Sequence, residues 1–287
     1  MKIAKCANFA FFALFPLLLC FFSGCGTLEN KAQESVGSKV SKVSFESKAL
    51  GKTMRFNIYL PKGYSKKIHY PVLYLIHGYT DTEDAWMPNL NLKDAADRLV
   101  ENGKIASLII VMPQIDNSFG INTDKIMNMS LKFSAGMYED YLYKDLIPYI
   151  DKKYSTVKSK AGRYIGGLSM GGFAALHLAF CHPDMFSKVG GHSPAFADDP
   201  WLYPNDEKRN ERDPIKIASS KDLGSLKVYL DCGDRDSFKF YVGCEQLFAV
   251  LQSRGISSEY HLNSGEHNAE YWKAHSDDYL VFYAGKS

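Results

Sequence analysis

The 287-residue chain carries 34 Lys and Arg against 32 Asp and Glu, with 46% hydrophobic and 23% charged residues. That balance belongs to a globular protein with a substantial core and excludes a disordered polar chain; no basic stripe marks a nucleic-acid partner. The length suits one large α/β domain, and 18 Tyr with 18 Phe favour strands and aromatic-lined surfaces.

The first 24 residues read as an export signal rather than as part of a fold. "MKIAKC" supplies Lys2 and Lys5, and "ANFAFFALFPLLLCFF" is apolar apart from Asn8 and Pro16. "FSGCG" then resembles the lipobox of bacterial lipoproteins, with Phe22 where Leu is usual. The resemblance implies cleavage before Cys25, acylation of that cysteine and attachment to a membrane through the acyl chains. Loss of Lys2 and Lys5 with the signal would balance the 34 basic against the 32 acidic residues. Residues 25–42, Cys25 followed by "GTLENKAQESVGSKVSK", are polar and without period, the pattern of a flexible tether. The catalytic domain is then expected over 43–287.

Within that domain "KVSFESKAL", "GKTMRFNIYLP" and "YPVLYLIHG" predict three strands. The first two alternate like a hairpin, and the third is a short apolar run of the kind buried on both faces. "NLKDAADRLVENG" predicts a helix, "SLIIVMP" a buried strand, and "MYEDYLYKDLIPYIDKKY" a helix that Pro148 should kink or break. Strand "RYIGGLS", helix "GGFAALHLAFCHP" and strand "FSKVGGHSP" follow. Residues 195–225 form the longest irregular stretch, a candidate lid or pocket wall, with Trp201 and Tyr203 as candidate substrate contacts. Strand "SLKVYLDCG", helix "YVGCEQLFAVLQSRG", strand "SSEYHLN" and a final helix "NAEYWKAHSDDYLVFYAG" complete the chain. Such alternation predicts an α/β fold: a mostly parallel central sheet with an antiparallel N-terminal edge and helices on both faces.

One stretch breaks local propensity. Gly162, Gly166, Gly167, Gly171 and Gly172 crowd around Ser169 between a strand and a helix. Gly167-Leu168-Ser169-Met170-Gly171 is G-x-S-x-G in the strand–turn–helix setting that gives the motif its meaning. There the serine sits on a sharp, strained turn with its hydroxyl above the sheet. Such a serine needs a base, and the base an orienting acid, in the chain order Ser, Asp or Glu, His. His267, in the loop after "SSEYHLN", is the expected base. His177, His261 and His275 fall inside predicted helices or strands and read as packing or surface residues, and His182 and His192 precede the acid. Asp231 ends a strand too early; Asp234 and Asp236 both remain as acids. The backbone N–H groups of Met170 and Tyr79 are the expected oxyanion donors, Gly78 permitting the turn and His77 bracing the loop.

"LIHGYTDTEDAW", "YEDYLYKDLIPYIDKKY", "GRYIGGLSMGGFAALHLAFCHPDMF", "RDPIKIA", "VYLDCGDRDSF" and "SGEHNAEYW" together resemble the esterase family that includes esterase D, feruloyl and acetylxylan esterases, and mycolyltransferases. The resemblance covers the chain from about Val43 onward and implies an α/β-hydrolase fold of the carbohydrate esterase family 1 type. In that family the acid follows the post-strand glycine by three residues, which selects Asp236 after Gly233, with Asp234 in reserve. The G-x-H followed by Trp matches Gly265, His267 and Trp272.

The implied activity is ester hydrolysis through an acyl-enzyme with no metal or organic cofactor, on acyl or feruloyl groups of plant polysaccharide or its fragments. The alternatives are a short-chain acyl esterase, a siderophore esterase, a mycolyl-type acyltransferase sharing the acyl-enzyme, and a non-catalytic binding lipoprotein. An export signal argues against S-formylglutathione, a cytosolic substrate. Of the six cysteines, Cys181, Cys232 and Cys244 would remain unmodified, with no metal-like spacing. Cys232 and Cys244 could form a disulfide or stay as buried thiols.

Overall fold

The computed structural model describes residues 37–123, 133–200 and 202–286. The signal-like segment, Cys25 and Trp201 lie outside the described residues. Strands β1 (Lys39–Ser47) and β2 (Lys52–Leu60) pair antiparallel in the register Lys39 opposite Leu60 to Ser47 opposite Lys52. β1 therefore begins at Lys39, inside the stretch expected to be tether, because hydrogen bonding to β2 orders residues whose own pattern carries no signal.

β3 (Val72–Ile76) and β4 (Ile109–Pro113) are buried along their whole length and flank α1 (Leu92–Glu101). A small antiparallel pair, β5 (Asn122–Thr123) and β6 (Gly136–Met137), precedes α2 (Tyr138–Asp140). A π-helical segment, Tyr141–Leu146, joins α2 to α3 (Ile147–Lys153). The expected break at Pro148 does not occur. Proline falls in the first turn of α3, and the wider turn ahead of it accommodates the residue that has no N–H to donate.

β7 (Arg163–Leu168), α4 (Met170–Cys181) and β8 (Lys188–His192) come next. The region expected to be irregular contains two short helices, α5 (Asp206–Arg212) and α6 (Pro214–Ser220). Asn205 caps α5 by accepting from the Lys208 N–H, and Asp213 caps α6 from Ile215 with Pro214 in its first turn. β9 (Lys227–Gly233), α7 (Phe240–Ser253) and β10 (Ser258–Asn263) lead to α8 (Ala269–Ala274) and α9 (Ser276–Ala284), two helices where one was expected, divided at His275.

The eight long strands form one sheet in the order β1-β2-β4-β3-β7-β8-β9-β10, antiparallel at β1–β2–β4 and parallel from β4 to β10. Side chains alternate across it. Val72, Tyr74 and Ile76 join one core with α4, while Leu73 and Leu75 join a second core with α1 and α9. The chain leaves β3 toward β4 and returns to β7 on the other side of β3. The order thus reverses between β3 and β7, and the carboxyl ends of those strands frame the crevice where open α/β sheets place their ligands.

Candidate active site

β7 ends at Leu168, and the next residue, Ser169, takes φ +54° and ψ −119° before α4 begins. This is a strained conformation for any residue but glycine, and surrounding contacts hold it. The Ser169 N–H donates to the His192 carbonyl, and its own carbonyl accepts from Phe173 and Ala195. Glycine at 167 and 171 is dictated by contact. A Cβ on Gly167 would lie 2.4 Å from the Gly171 carbonyl, and one on Gly171 2.4 Å from the Ile76 carbonyl. The crowding of strand, turn and helix answers the propensity conflict in the sequence.

His267 comes from the loop between β10 and α8. Its Nε2 lies 2.9 Å from Ser169 Oγ, and its Nδ1 lies 2.7 Å from Asp236 Oδ2. Asp236 comes from the loop after β9 and is buried. Its Oδ2 also accepts from the Cys232 thiol at 3.3 Å, and its Oδ1 from the Phe238 N–H at 2.8 Å. Burial alone would raise this carboxyl; the hydrogen bonds from His267, Cys232 and Phe238 outweigh it and hold the group below the usual aspartate range. Asp234 does another task. Its Oδ1 accepts from the Gly265 N–H, bracing the loop that carries His267.

The second expected oxyanion donor lies in the loop after β3. A Cβ on Gly78 would come 2.8 Å from Leu168 and 3.6 Å from Ser169 Cβ, so this loop packs directly against the serine. His77 braces it: Nδ1 bonds the Gly78 carbonyl at 2.7 Å, and the Ile115 N–H donates to Nε2 at 3.0 Å. Burial pushes the His77 imidazole below its ordinary range, which suits this neutral, bridging use. Tyr79, next in the loop, packs edge-on against Phe133. Met170 is the first residue of α4, where a backbone N–H has no acceptor within the helix.

Tyr203 sits elsewhere from its expected role. It is buried in the main core, with the Arg209 guanidinium 4.5 Å above its ring. It borders a cleft of about 270 Å³ beside Phe196 and Lys239 that includes none of Ser169, His267 and Asp236. A larger cleft, about 680 Å³, lies by Lys188, Tyr229 and His261 and also includes none of them. Chemistry rather than volume locates the site.

Three features escape the sequence reading. Phe238, 64% exposed, stacks on Phe240, and both rings stand edge-on to His267 at 5.1 and 5.3 Å. The "DSFKF" run carried them beside the acid, but only the turn after β9 brings both rings to one imidazole. Cys232 and Cys244 take the buried-thiol alternative, and what the sequence did not offer is that Cys232 donates to the acid. Behind the turn lies a second, wholly buried His–Asp pair. His192 Nδ1 lies 2.8 Å from Asp231 Oδ1, and the Tyr271 and Tyr279 hydroxyls both donate to Asp231 Oδ2 at 2.8 Å.

The family model described as Putative esterase matches residues 47–280. The endo-1,4-beta-xylanase/feruloyl esterase of Xylanibacter ruminicola is 36% identical over 225 residues, covering 77% of this chain and 28% of that protein, so the chain spans little more than a quarter of that relative. A solved ferulic acid esterase superposes with a TM-score of 0.74 at 30% identity, covering 87% of this chain and 98% of its own. A ferulic acid esterase from Anaeromyces mucronatus, solved in complex with ferulic acid, has a TM-score of 0.65 at 22% identity, over 90% of this chain and 94% of its own.

Proposed function

The chain belongs to this esterase family of serine hydrolases, and we propose that it hydrolyses acyl or feruloyl esters, on plant polysaccharide or its fragments, through Ser169, His267 and Asp236. The observation that carries the reading is the continuous relay from Ser169 Oγ through His267 to Asp236, at 2.9 and 2.7 Å. Ser169 Oγ attacks the ester carbonyl carbon while His267 Nε2 takes its proton. Asp236 holds the Nδ1–H tautomer and stabilises the imidazolium. The carbonyl oxygen becomes an oxyanion between the N–H groups of Tyr79 and Met170. Collapse breaks the ester C–O bond, the alcohol leaves with the proton from His267, and the acyl group stays on Ser169. Water, deprotonated by the same imidazole, then releases the acid and restores the serine.

Phe238 supports an aromatic acyl group, because an exposed phenyl beside the catalytic imidazole offers a stacking surface that a small acyl group does not need. The deciding experiment is a panel of p-nitrophenyl acetate and butyrate, methyl ferulate, acetylated xylan and S-formylglutathione on the purified chain and on Ser169→Ala and Phe238→Ala. Ser169→Ala should lower turnover of every accepted ester by at least about 10³ with the melting temperature unchanged. Phe238→Ala should raise KM for methyl ferulate several-fold and leave acetate turnover intact. Undiminished turnover by Ser169→Ala would end the mechanism; an equal effect of Phe238→Ala on both esters would remove the aryl preference.

The N-terminal segment completes the reading: a lipoprotein signal over residues 1–24, an acylated Cys25 and a tether, holding the esterase at a bacterial membrane outside the cytoplasm. The basic start, apolar run and small residues around Cys25 support it. Cys25→Ser should move the protein from the membrane to the soluble fraction and abolish labelling by a fatty acid. Retention at the membrane without labelling would mean an uncleaved anchor instead.

A further inference from the structure

We propose that Glu139, His177 and Cys181 form a binding site for a zinc-type transition-metal dication, separate from the hydrolytic site, with its remaining coordination position open to solvent. His177 and Cys181 stand one turn apart on the same face of α4, and Glu139 is delivered to them by α2. One donor atom from each lies within 4.8 Å of the other two. His177 Nε2 is 3.3 Å from Glu139 Oε2 and 3.8 Å from Cys181 Sγ.

These separations can be compared with a tetrahedron. Zinc bonds of about 2.0–2.1 Å to N or O and about 2.3 Å to S give edges of about 3.4 Å between N and O and about 3.6 Å between N and S. The measured N–O edge of 3.3 Å lies close to that value, whereas Cys181 Sγ stands 3.8 Å from both ring nitrogens and must turn toward Nε2 to complete the set.

The surroundings are those of a held ligand set. His177 Nδ1 lies 3.1 Å from the Arg212 carbonyl. An Nδ1–H donating there leaves Nε2 facing Glu139 Oε2, the arrangement an outer-shell carbonyl gives a ligating imidazole once Nε2 has lost its proton. The second carboxylate oxygen, Glu139 Oε1, takes a hydrogen bond from His182 Nε2 at 2.9 Å, leaving Oε2 for the ion. A cleft of about 310 Å³ reaches Glu139, His177 and Cys181 and gives an ion its entry path. Of the cations on its wall, Lys208 is paired with Glu211, and Arg212 donates to the Leu202 and Asn122 carbonyls.

Binding forms three metal–ligand bonds and releases the Cys181 thiol proton and any proton on His177 Nε2 to solvent; no electron moves. The mixed thiolate, imidazole and carboxylate set suits zinc over magnesium or calcium. Eight residues of helix, about 12 Å, separate His177 from Ser169, so the ion would tie α2 to α4 without touching the ester. The cysteines alone gave no metal spacing because the partners are a histidine on the same helix and a glutamate distant in sequence.

The test treats the full chain with chelator, removes it, and titrates zinc chloride by calorimetry, with cobalt chloride as an optical probe. We expect one equivalent of zinc, a higher melting temperature, and a cobalt spectrum with a thiolate charge-transfer band. Cys181→Ser should lose the band and bind zinc on the order of 100-fold more weakly or worse, and Glu139→Gln should weaken zinc likewise. The Ser169-dependent ester turnover of Cys181→Ser should equal that of the wild type. No zinc uptake by the wild-type chain, a cobalt spectrum without the thiolate band, or equal affinity in Cys181→Ser would overturn the site. If Cys181→Ser misfolds, the wild-type cobalt spectrum decides.

Discussion

Ser169, the proposed nucleophile, shows how little of a reactive residue's environment is its own. Its backbone strain is held by two glycines that admit the neighbouring chain, and its hydroxyl is aimed by a histidine and an aspartate from two later loops. The two candidate acids separate cleanly at this scale. Asp236 touches the imidazole, whereas Asp234 holds the Gly265 N–H. Asp236→Asn should therefore cost about 10⁴ in kcat by upsetting the imidazole tautomer, and Asp234→Asn less than about tenfold, seen in parallel steady-state assays. A reversed order would move the acid to Asp234. The chemistry-bearing residues were legible because G-x-S-x-G and the chain order of a serine relay are local or ordinal features. The thiol and amide that tune Asp236 were not, since hydrogen bonding to a carboxylate leaves no spacing rule.

At the scale of elements, the loop from Gly78 to Asn91 shows how the N-terminal hairpin supports the site. Glu83, with its side chain 1% exposed, is 3.0 Å from Lys42 of β1 and 2.9 Å from Arg55 of β2, while the Asn57 side chain donates to the Glu83 carbonyl. Burial raises the Glu83 carboxyl, but the hydrogen bonds from Lys42 and Arg55 more than offset it, so its folded pKa is lowered. A lowered carboxylate stabilises the fold above its unfolded pKa of about 4.3 and loses that contribution as pH falls through the lower folded value. Glu83→Gln should destabilise the chain at pH 7 by about 1 kcal/mol, a modest loss because both basic partners are half exposed. The difference in melting temperature from the wild type should shrink below about pH 4; a difference independent of pH would show that the charge is idle. Elements were read well where a strand or helix carries its own period. α5 and α6 were missed because their cores are charged or short, although Asn205 and Asp213-Pro214 were available as start signals.

For the whole molecule, the buried pair beneath the serine turn joins the sheet to the C-terminal helices. Asp231 on β9 receives His192 of β8, Tyr271 of α8 and Tyr279 of α9, and the Tyr283 hydroxyl lies 3.2 Å from His192 Nε2. Gly166 and Gly190 make room for that phenol, since a Cβ on either would meet it within about 2.1 Å. Removing the carboxylate strands three polar partners where water cannot reach them. Asp231→Ala should therefore cost about 3–5 kcal/mol in urea unfolding, with Ser169, His267 and Asp236 untouched. A loss below about 1 kcal/mol would show that the network adjusts without it.

The sequence by itself determined the α/β class, the alternation of elements, the esterase family and the serine, because periodicity, turn chemistry and motif spacing are properties of short segments. The tertiary structure decided which of two aspartates faces His267, that Cys232 serves the acid as a thiol, that Tyr203 belongs to the core, and that Phe238 stands beside the imidazole. Each of these depends on the angle at which one loop leaves a twisted sheet and meets another, and contacts between loops distant in sequence leave no period to read.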